Sequence, residues 1–451
     1  MSEIRHSQGA KVAFTARMSP LDFDRLRRLA KEGGWIVAGQ VAAVAGSLAA
    51  VRVLTEFLTP AQYGELALGL TIAGLVNQVV MGGVGNGIGR FYAIAAEKCD
   101  VGGYLNASRR LVGYATLVVL AMAGMLLLGL AWTDRTQWLG LAAAALIFAL
   151  LAGYNSCLSS VQNAARQRQI VALHSALDSW LKIALAVGVM LWLGTSSTAV
   201  VIGYALSAFI VTASQLVFLR RLASRHLHRA PGATPPAQWA GEMWRYGWPF
   251  STFGVFTWAQ QASDRWALQA FSSTADVGAY AALFQLGYTP ISIATGLMVT
   301  FLGPVLFQRA GDASDPVRNR RVHRLTWRLT WTGIASTGLA FAIALAVHKW
   351  LFALLVAAPY RFTSLWLPWM ILAGGLFAAG QVLALKLMAD MRPAATVPVK
   401  IATAVLGIGL NAWGAAYYGL PGVVAAAVVF SAIYLGWMMW LCRDVRGSAA
   451  T

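Results

Sequence analysis

The sequence predicts an all-α polytopic membrane protein with about twelve transmembrane helices in two groups of six. Three observations carry this. Of the 451 residues, 58% are hydrophobic and 12% charged, against about 25% charged in a soluble domain. Apolar stretches of about 20 residues, the length that crosses a bilayer, recur along the whole chain. Lys and Arg crowd into alternate connections between them, the bias that orients membrane helices.

The first stretch, 34–55, follows a polar N-terminal segment and is too long for a cleaved signal peptide. The second, 65–87, ends in Gly82, Gly83, Gly85, Gly87 and Gly89. A dinucleotide fold would need a strand before such glycines, so they suit close helix packing or a hinge instead. Stretches 111–132 and 137–159 follow, then 171–193 with Asp178 and Lys182, and 198–219. The seventh, 246–270, holds Asp264 and Arg265, and the eighth, 278–307, contains Pro290 and Pro304. A bend or break is expected in the eighth. Stretches 329–350, 365–386, 394–417 and 420–441 complete the set. No run of consecutive segments alternates with period two as a barrel would.

With the N-terminus in the cytoplasm, twenty-nine of the 35 Lys and Arg lie on the inner side. Arg135, Lys349 and Arg361 lie outside, and Arg52, Lys182 and Arg265 lie within spans. Both termini are then cytoplasmic. The net charge of +18 reflects topology and anionic lipid headgroups, not nucleic-acid binding. Cys99, Cys157 and Cys442 are far apart and make no disulfide or metal framework. His226 and His228 have no third ligand. No HExxH, Walker or GxSxG motif is present, so no catalytic residue, metal or cofactor is expected.

The expected organisation is a cytoplasmic segment 1–33, a six-helix bundle 34–219, a cytoplasmic linker 220–245, a second bundle 246–441 and a cytoplasmic tail 442–451. Pro231, Gly232, Pro235 and Pro236 give the linker a flexible composition. Six spans restore the starting orientation, so the halves form a parallel repeat about an axis along the membrane normal.

Two cations support the repeat. Arg52 and Arg265 sit at similar depth in the first span of each half, and similar sequences follow about a dozen residues later: Tyr63-Gly64-Glu65-Leu66-Ala67 and Val277-Gly278-Ala279-Tyr280-Ala281. A cation in a membrane helix is costly, so this pair points to a transporter with a positively charged interior. Arg52 either pairs with Glu56 at i+4 or faces the cavity. Asp264 and Arg265 are adjacent, point in different directions, and each needs a partner elsewhere. Lys182 pairs with Asp178 at i+4 or offers its charge to the cavity. Arg90, after the glycine cluster, faces either substrate or lipid phosphate.

The run from Arg52 through Thr59-Pro60 to Tyr63-Gly64 resembles the first helix and loop of Wzx-like polysaccharide flippases. These belong to the multidrug/oligosaccharidyl-lipid/polysaccharide exporter superfamily. Asp264-Arg265-Trp266-Ala267-Leu268, Arg90-Phe91, Ala165-Arg166-Gln167 and Tyr418-Gly419-Leu420-Pro421-Gly422 are similar to that family too. The resemblance, over about 30–440, implies two six-helix bundles around a central cavity. It implies alternating access that moves an undecaprenyl-pyrophosphate-linked oligosaccharide from the cytoplasmic to the periplasmic leaflet of the bacterial inner membrane, for cell-surface polysaccharide biosynthesis such as lipopolysaccharide or exopolysaccharide. Arg52, Arg265, Lys182, Asp264 and Arg90 are then the substrate-binding candidates, and Asp178 and Asp264 the ion-coupling candidates. The partners are the lipid-linked oligosaccharide, membrane lipids, a polysaccharide polymerase and glycosyltransferases. An ion-coupled multidrug antiporter of the same superfamily is the nearest alternative. A membrane-embedded polymerase or transferase is more distant, because the external loops are short.

Overall fold

The computed structural model describes residues 20–224, 236–310, 315–390, 392 and 395–443. Positions 1–19 of the N-terminal segment, 225–235 of the linker with His226 and His228, and 444–451 of the tail lie outside the described residues. The first half contains α1 (Pro20–Phe57), α2 (Pro60–Leu75), a π-helical turn (Val76–Met81), α3 (Gly82–Glu97), α4 (Val101–Trp132), α5 (Leu139–Ala164), α6 (Arg168–Leu193) and α7 (Ser197–Ser224). The second contains α8 (Pro236–Phe271), α9 (Thr274–Gly287), α10 (Thr289–Ala310), α11 (Pro316–Leu355), a 3₁₀ segment (Ala358–Trp366), α12 (Leu367–Ala389) and α13 (Thr396–Cys442).

Among the described residues, ten helical stretches are long and apolar enough to cross a membrane. The segment α2–α3 crosses as one unit with the π turn inside it. α8, which mixes Trp, Tyr, Ser and Thr with Gln260, Gln261, Asp264 and Arg265, is not among the ten. α13 counts once although it crosses twice. Gly419 has φ 61° and ψ −138°, and a Cβ on Gly407 would touch the Phe430 ring. Residues that far apart in a straight helix would be separated by about 34 Å, so the chain reverses at Gly419. With α8 and both limbs of α13, the crossings number twelve among the described residues. The eighth breaks between α9 and α10 at Tyr288, just before Pro290, as the prolines predict.

Two expected boundaries move. The stretch read as a linker over 220–245 is helical at both ends: α7 reaches Ser224 and α8 starts at Pro236. Trp239, in that stretch, is fully buried and donates from Nε1 to Asp100 Oδ2 at 2.9 Å. Asp100 in turn caps α4, accepting from the Gly103 amide at 3.0 Å. A proline-rich composition signals flexibility, but it does not register that one tryptophan anchors the start of α8 to the first half.

The halves meet along two glycine seams. At one end, α2 packs on α9: a Cβ on Gly64 would overlap the Thr274 carbonyl, and one on Gly278 would overlap the Pro60 carbonyl. At the other, α3 packs on α8, where Gly83 and Gly247 would clash with each other's backbones and Gly87 with that of Met243. The absence of side chains lets helix backbones approach this closely. The glycine cluster after Met81 is therefore a packing surface. The outward faces carry apolar side chains such as Leu120, Leu128 and Leu191, as contact with lipid requires.

The repeat is visible residue by residue. Thr59 caps α2, accepting from the Gln62 amide at 3.3 Å. Ser273 caps α9, accepting from the Asp276 amide at 3.1 Å. One constant offset relates Thr59 to Ser273, Gln62 to Asp276, Gly64 to Gly278, and the helix ends Phe57 and Phe271.

Candidate functional site: a cationic cavity between the halves

A central cavity of about 400 Å³ lies between α1, α2, α6 and α7 of the first half and α8 and α9 of the second. Its walls are apolar side chains of α1 and α2 interleaved with polar groups, notably Ser47, Gln78, Tyr204, Gln261 and Gln285. Two cations line it, Lys182 from one half and Arg265 from the other, and no carboxylate does among the described residues. Gln78 Nε2 donates to Gln261 Oε1 at 2.8 Å across the halves. Trp258 Nε1 donates to the Thr71 carbonyl at 2.7 Å. The π-helical turn widens the helix beside Gln78, a distortion often found at functional positions.

The acids stand behind the cations. Lys182 Nζ contacts Asp178 Oδ2 at 2.6 Å, and Ser207 Oγ donates to Asp178 Oδ1 at 3.1 Å. Lys182 also lies 5.3 Å from the Phe148 ring centre and 5.9 Å from that of Tyr204. Lys182 thus pairs in its own helix and also lines the cavity.

Arg265 Nη1 donates to the Gln261 carbonyl at 3.1 Å and approaches Asp264 Oδ1 at 3.5 Å. Its guanidinium sits 4.9 Å from the Phe284 ring centre. Asp264 and Arg265, expected to pair poorly with each other, share this one long side-chain contact. Helix geometry still keeps them apart elsewhere: Asp264 Oδ2 accepts from the Tyr280 hydroxyl at 2.9 Å. Arg265 keeps most of its five donors available.

Arg52 is not among the cavity-lining residues. Its Nη1 contacts Glu56 Oε2 at 2.8 Å, and its side chain is 40% exposed against 17% for Arg265. The α1 face in the cavity carries Gly46, Ser47, Ala50, Val51 and Leu54. At about 100° per residue, Arg52 and Glu56 point to the opposite side. Arg90 is exposed on α3 and lines neither this cavity nor the neighbouring one described below.

The amides Gln78, Gln261 and Gln285 escaped notice in the sequence. The signal was there: an uncharged amide inside an apolar span needs a polar partner as surely as a charge does.

A twelve-crossing bundle of two pseudo-equivalent halves around a polar cavity defines a membrane transporter fold. The family model for polysaccharide biosynthesis proteins matches residues 29–309, and the chain belongs to that family. No curated protein matches the sequence. Among solved structures, the fold is similar to that of the lipid II flippase MurJ in an inward closed conformation, with TM-score 0.68, 12% identity and coverage of 91% of this chain and 87% of that one. It is similar to an inward-facing multidrug resistance MATE family transporter of the MOP superfamily, with TM-score 0.61, 14% identity and coverage of 90% and 96%. A MOP superfamily transporter from Pyrococcus furiosus, described as having a binding pocket of reverse polarity, gives TM-score 0.58, 14% identity and coverage of 92% and 97%.

Proposed function

We propose that the protein is a flippase that moves undecaprenyl-pyrophosphate-linked oligosaccharide between leaflets by alternating access. The observation that carries this reading is the pair of cations, Lys182 and Arg265, facing one cavity whose lining contains no carboxylate among the described residues. Inside a low-dielectric bundle such a site favours a compact polyanion. A pyrophosphate accepts the charge-assisted, two-point hydrogen bonds that a guanidinium offers. Membership of a polysaccharide biosynthesis family directs the anion toward a glycan carrier lipid. A multidrug antiporter would need acids where these cations stand.

In this reading 34–219 and 246–441 are the two bundles that move against each other, and the glycine seams are where they part. In this reading the loop charges orient both termini toward the cytoplasm, and a lipid-linked glycan cargo implies the bacterial inner membrane. Glycosyltransferases would supply the cargo and a polymerase would consume it. The protein itself breaks no bond. A proton or cation arriving at Asp178 or Asp264 would loosen its contact with Lys182 or Arg265, and so tie an ion gradient to the cavity's charge. Arg52 and Arg90 serve the lipid surface rather than the cavity.

The test is reconstitution in proteoliposomes with labelled undecaprenyl-pyrophosphate-linked oligosaccharide, following its appearance in the opposite leaflet. Wild type should accelerate the transfer, and Arg265→Ala should slow it about tenfold or more, as losing a charge-assisted contact predicts. Equal rates in empty and protein-containing vesicles would sink the proposal.

A further inference from the structure

A second cavity, of about 480 Å³, lies wholly inside the second half, between α8, α9, α10, α12 and α13. It shares Gln261 and Arg265 with the central cavity. We infer that it receives the sugars nearest the pyrophosphate of the cargo, with Arg265 at the junction. This rests on the flippase reading above.

Its walls suit a carbohydrate. A sugar ring has an apolar C–H face and a rim of hydroxyls, so its site needs aromatic faces beside neutral donors and acceptors. The aromatic part is a connected set of rings. Phe284 stacks on Tyr288 with centres 4.7 Å apart, and Tyr288 lies 6.3 Å from Phe377. Phe377 stacks on Phe430 at 6.0 Å, and Phe430 on Tyr434 at 6.4 Å with planes 10° apart. The neutral polar part includes Gln260, Gln381 and Asn411; a side-chain amide carries two donors and an acceptor, of which Asn411 gives one donor to Ser263 Oγ at 2.8 Å. The volume lies within the range of small-molecule sites, about 300–1,000 Å³.

Two buried hydroxyls in its wall stand unpaired among the described residues. Ser431 and Tyr434 line this cavity and are 1% and 2% exposed. Neither Ser431 Oγ nor the Tyr434 hydroxyl has a hydrogen-bond partner among the described residues. Buried polar groups are ordinarily satisfied, so an unpaired pair facing one space calls for a polar occupant. A sugar hydroxyl both donates and accepts, and so can answer either group.

A metal cation fits less well. Arg265 and Lys400 both line the space, and Asp264, the one lining carboxylate among the described residues, already accepts from Tyr280 and from the Arg265 amide, at 2.9 and 2.7 Å. The junction at Arg265 fits the connectivity of the cargo. Its first sugar is bonded directly to phosphate, so an anion held by Arg265 in the central cavity would direct that sugar toward the second one.

The test compares binding of bare undecaprenyl pyrophosphate with that of its N-acetylglucosamine-, galactose- and glucose-linked forms, by native mass spectrometry of the full chain. Wild type should hold at least one glycosylated form about tenfold tighter than the bare lipid. Gln381→Ala, Phe430→Leu and Tyr434→Phe should reduce that preference to about twofold or less, with bare-lipid affinity unchanged and thermal unfolding near wild type. Tyr434→Phe keeps the ring and removes only the unpaired hydroxyl, so a folding defect in the other two would not mask the answer. No preference in wild type, or full preference in all three variants, would overturn the inference. So would a changed sodium dependence of thermal unfolding with sugar preference intact, which would mark a cation site. Arg265→Ala should weaken bare and glycosylated lipids alike. If it weakens neither, the flippase reading fails, independently of the sugar site.

Discussion

Gly64 of α2 and Gly278 of α9 are repeat-equivalent residues that each press against the other's helix. A Cβ on Gly64 would overlap the Thr274 carbonyl and lie close to the Gly278 amide, and one on Gly278 would overlap the Pro60 carbonyl. The pseudo-two-fold axis of the molecule therefore passes near this contact. Neither side can move aside cheaply, because the obstacle on each is backbone.

That contact predicts the effect of a single methyl group. Gly64→Ala or Gly278→Ala should destabilise this packing by about 1–3 kcal/mol, the usual cost of overpacking. Thermal unfolding in detergent should show it. An unchanged melting temperature in both variants would mean that the seam is looser than the backbone geometry implies.

The two arginines should separate cleanly in transport. Arg265→Ala removes a cavity cation, whereas Arg52→Ala breaks a half-exposed pair with Glu56 that contributes about 0.3–0.5 kcal/mol. We expect Arg52→Ala to transport near the wild-type rate in the proteoliposome assay. Comparable losses in the two variants would contradict their placement on opposite sides of the cavity wall.

Lys182 and Asp178 form a pair that can be dissected. Lys182→Gln strands a partly buried carboxylate and should cost stability, by about 1–3 kcal/mol. Adding Asp178→Asn removes the stranded charge and should restore most of that stability, but not the binding of undecaprenyl pyrophosphate. Recovery of both stability and binding in the double variant would reduce Lys182 to a structural role.

Trp239 and Asp100 join α8 to the first half through one charge-assisted hydrogen bond. Trp239→Phe and Asp100→Asn should each lower stability, and a double-mutant cycle should return a coupling of about 1.5–3 kcal/mol. A coupling near zero would show that this bond does not hold the start of α8 to the first half.

Gly419 turns the chain between the last two crossings with φ 61°, and a Cβ there would meet only Ser272 Oγ, at 3.7 Å. The cost of Gly419→Ala is therefore conformational rather than steric, of order 1–3 kcal/mol. It should appear as a lower unfolding temperature with unchanged selectivity for glycosylated lipid.

The sequence by itself determined the class of fold, the twelve crossings, the six-and-six division and the break near Pro290. Each follows from hydrophobic length, charge placement or proline chemistry, which act locally and leave a periodic trace. The same local reasoning placed Arg52 and Arg265 at similar depth and, because Glu56 offers Arg52 a partner at i+4, left open whether Arg52 faces the cavity. Only the tertiary structure could separate them. Relative to Gly64 and Gly278, Arg265 stands one residue further back than Arg52 does. One residue is about 100° of helix rotation, so the partner of Arg265 in the first half is Val51, which lines the cavity, and not Arg52. Depth in a membrane depends on counting residues to within several. Which way a side chain points depends on counting to within one, and the contact between helices α2 and α9 sets that count.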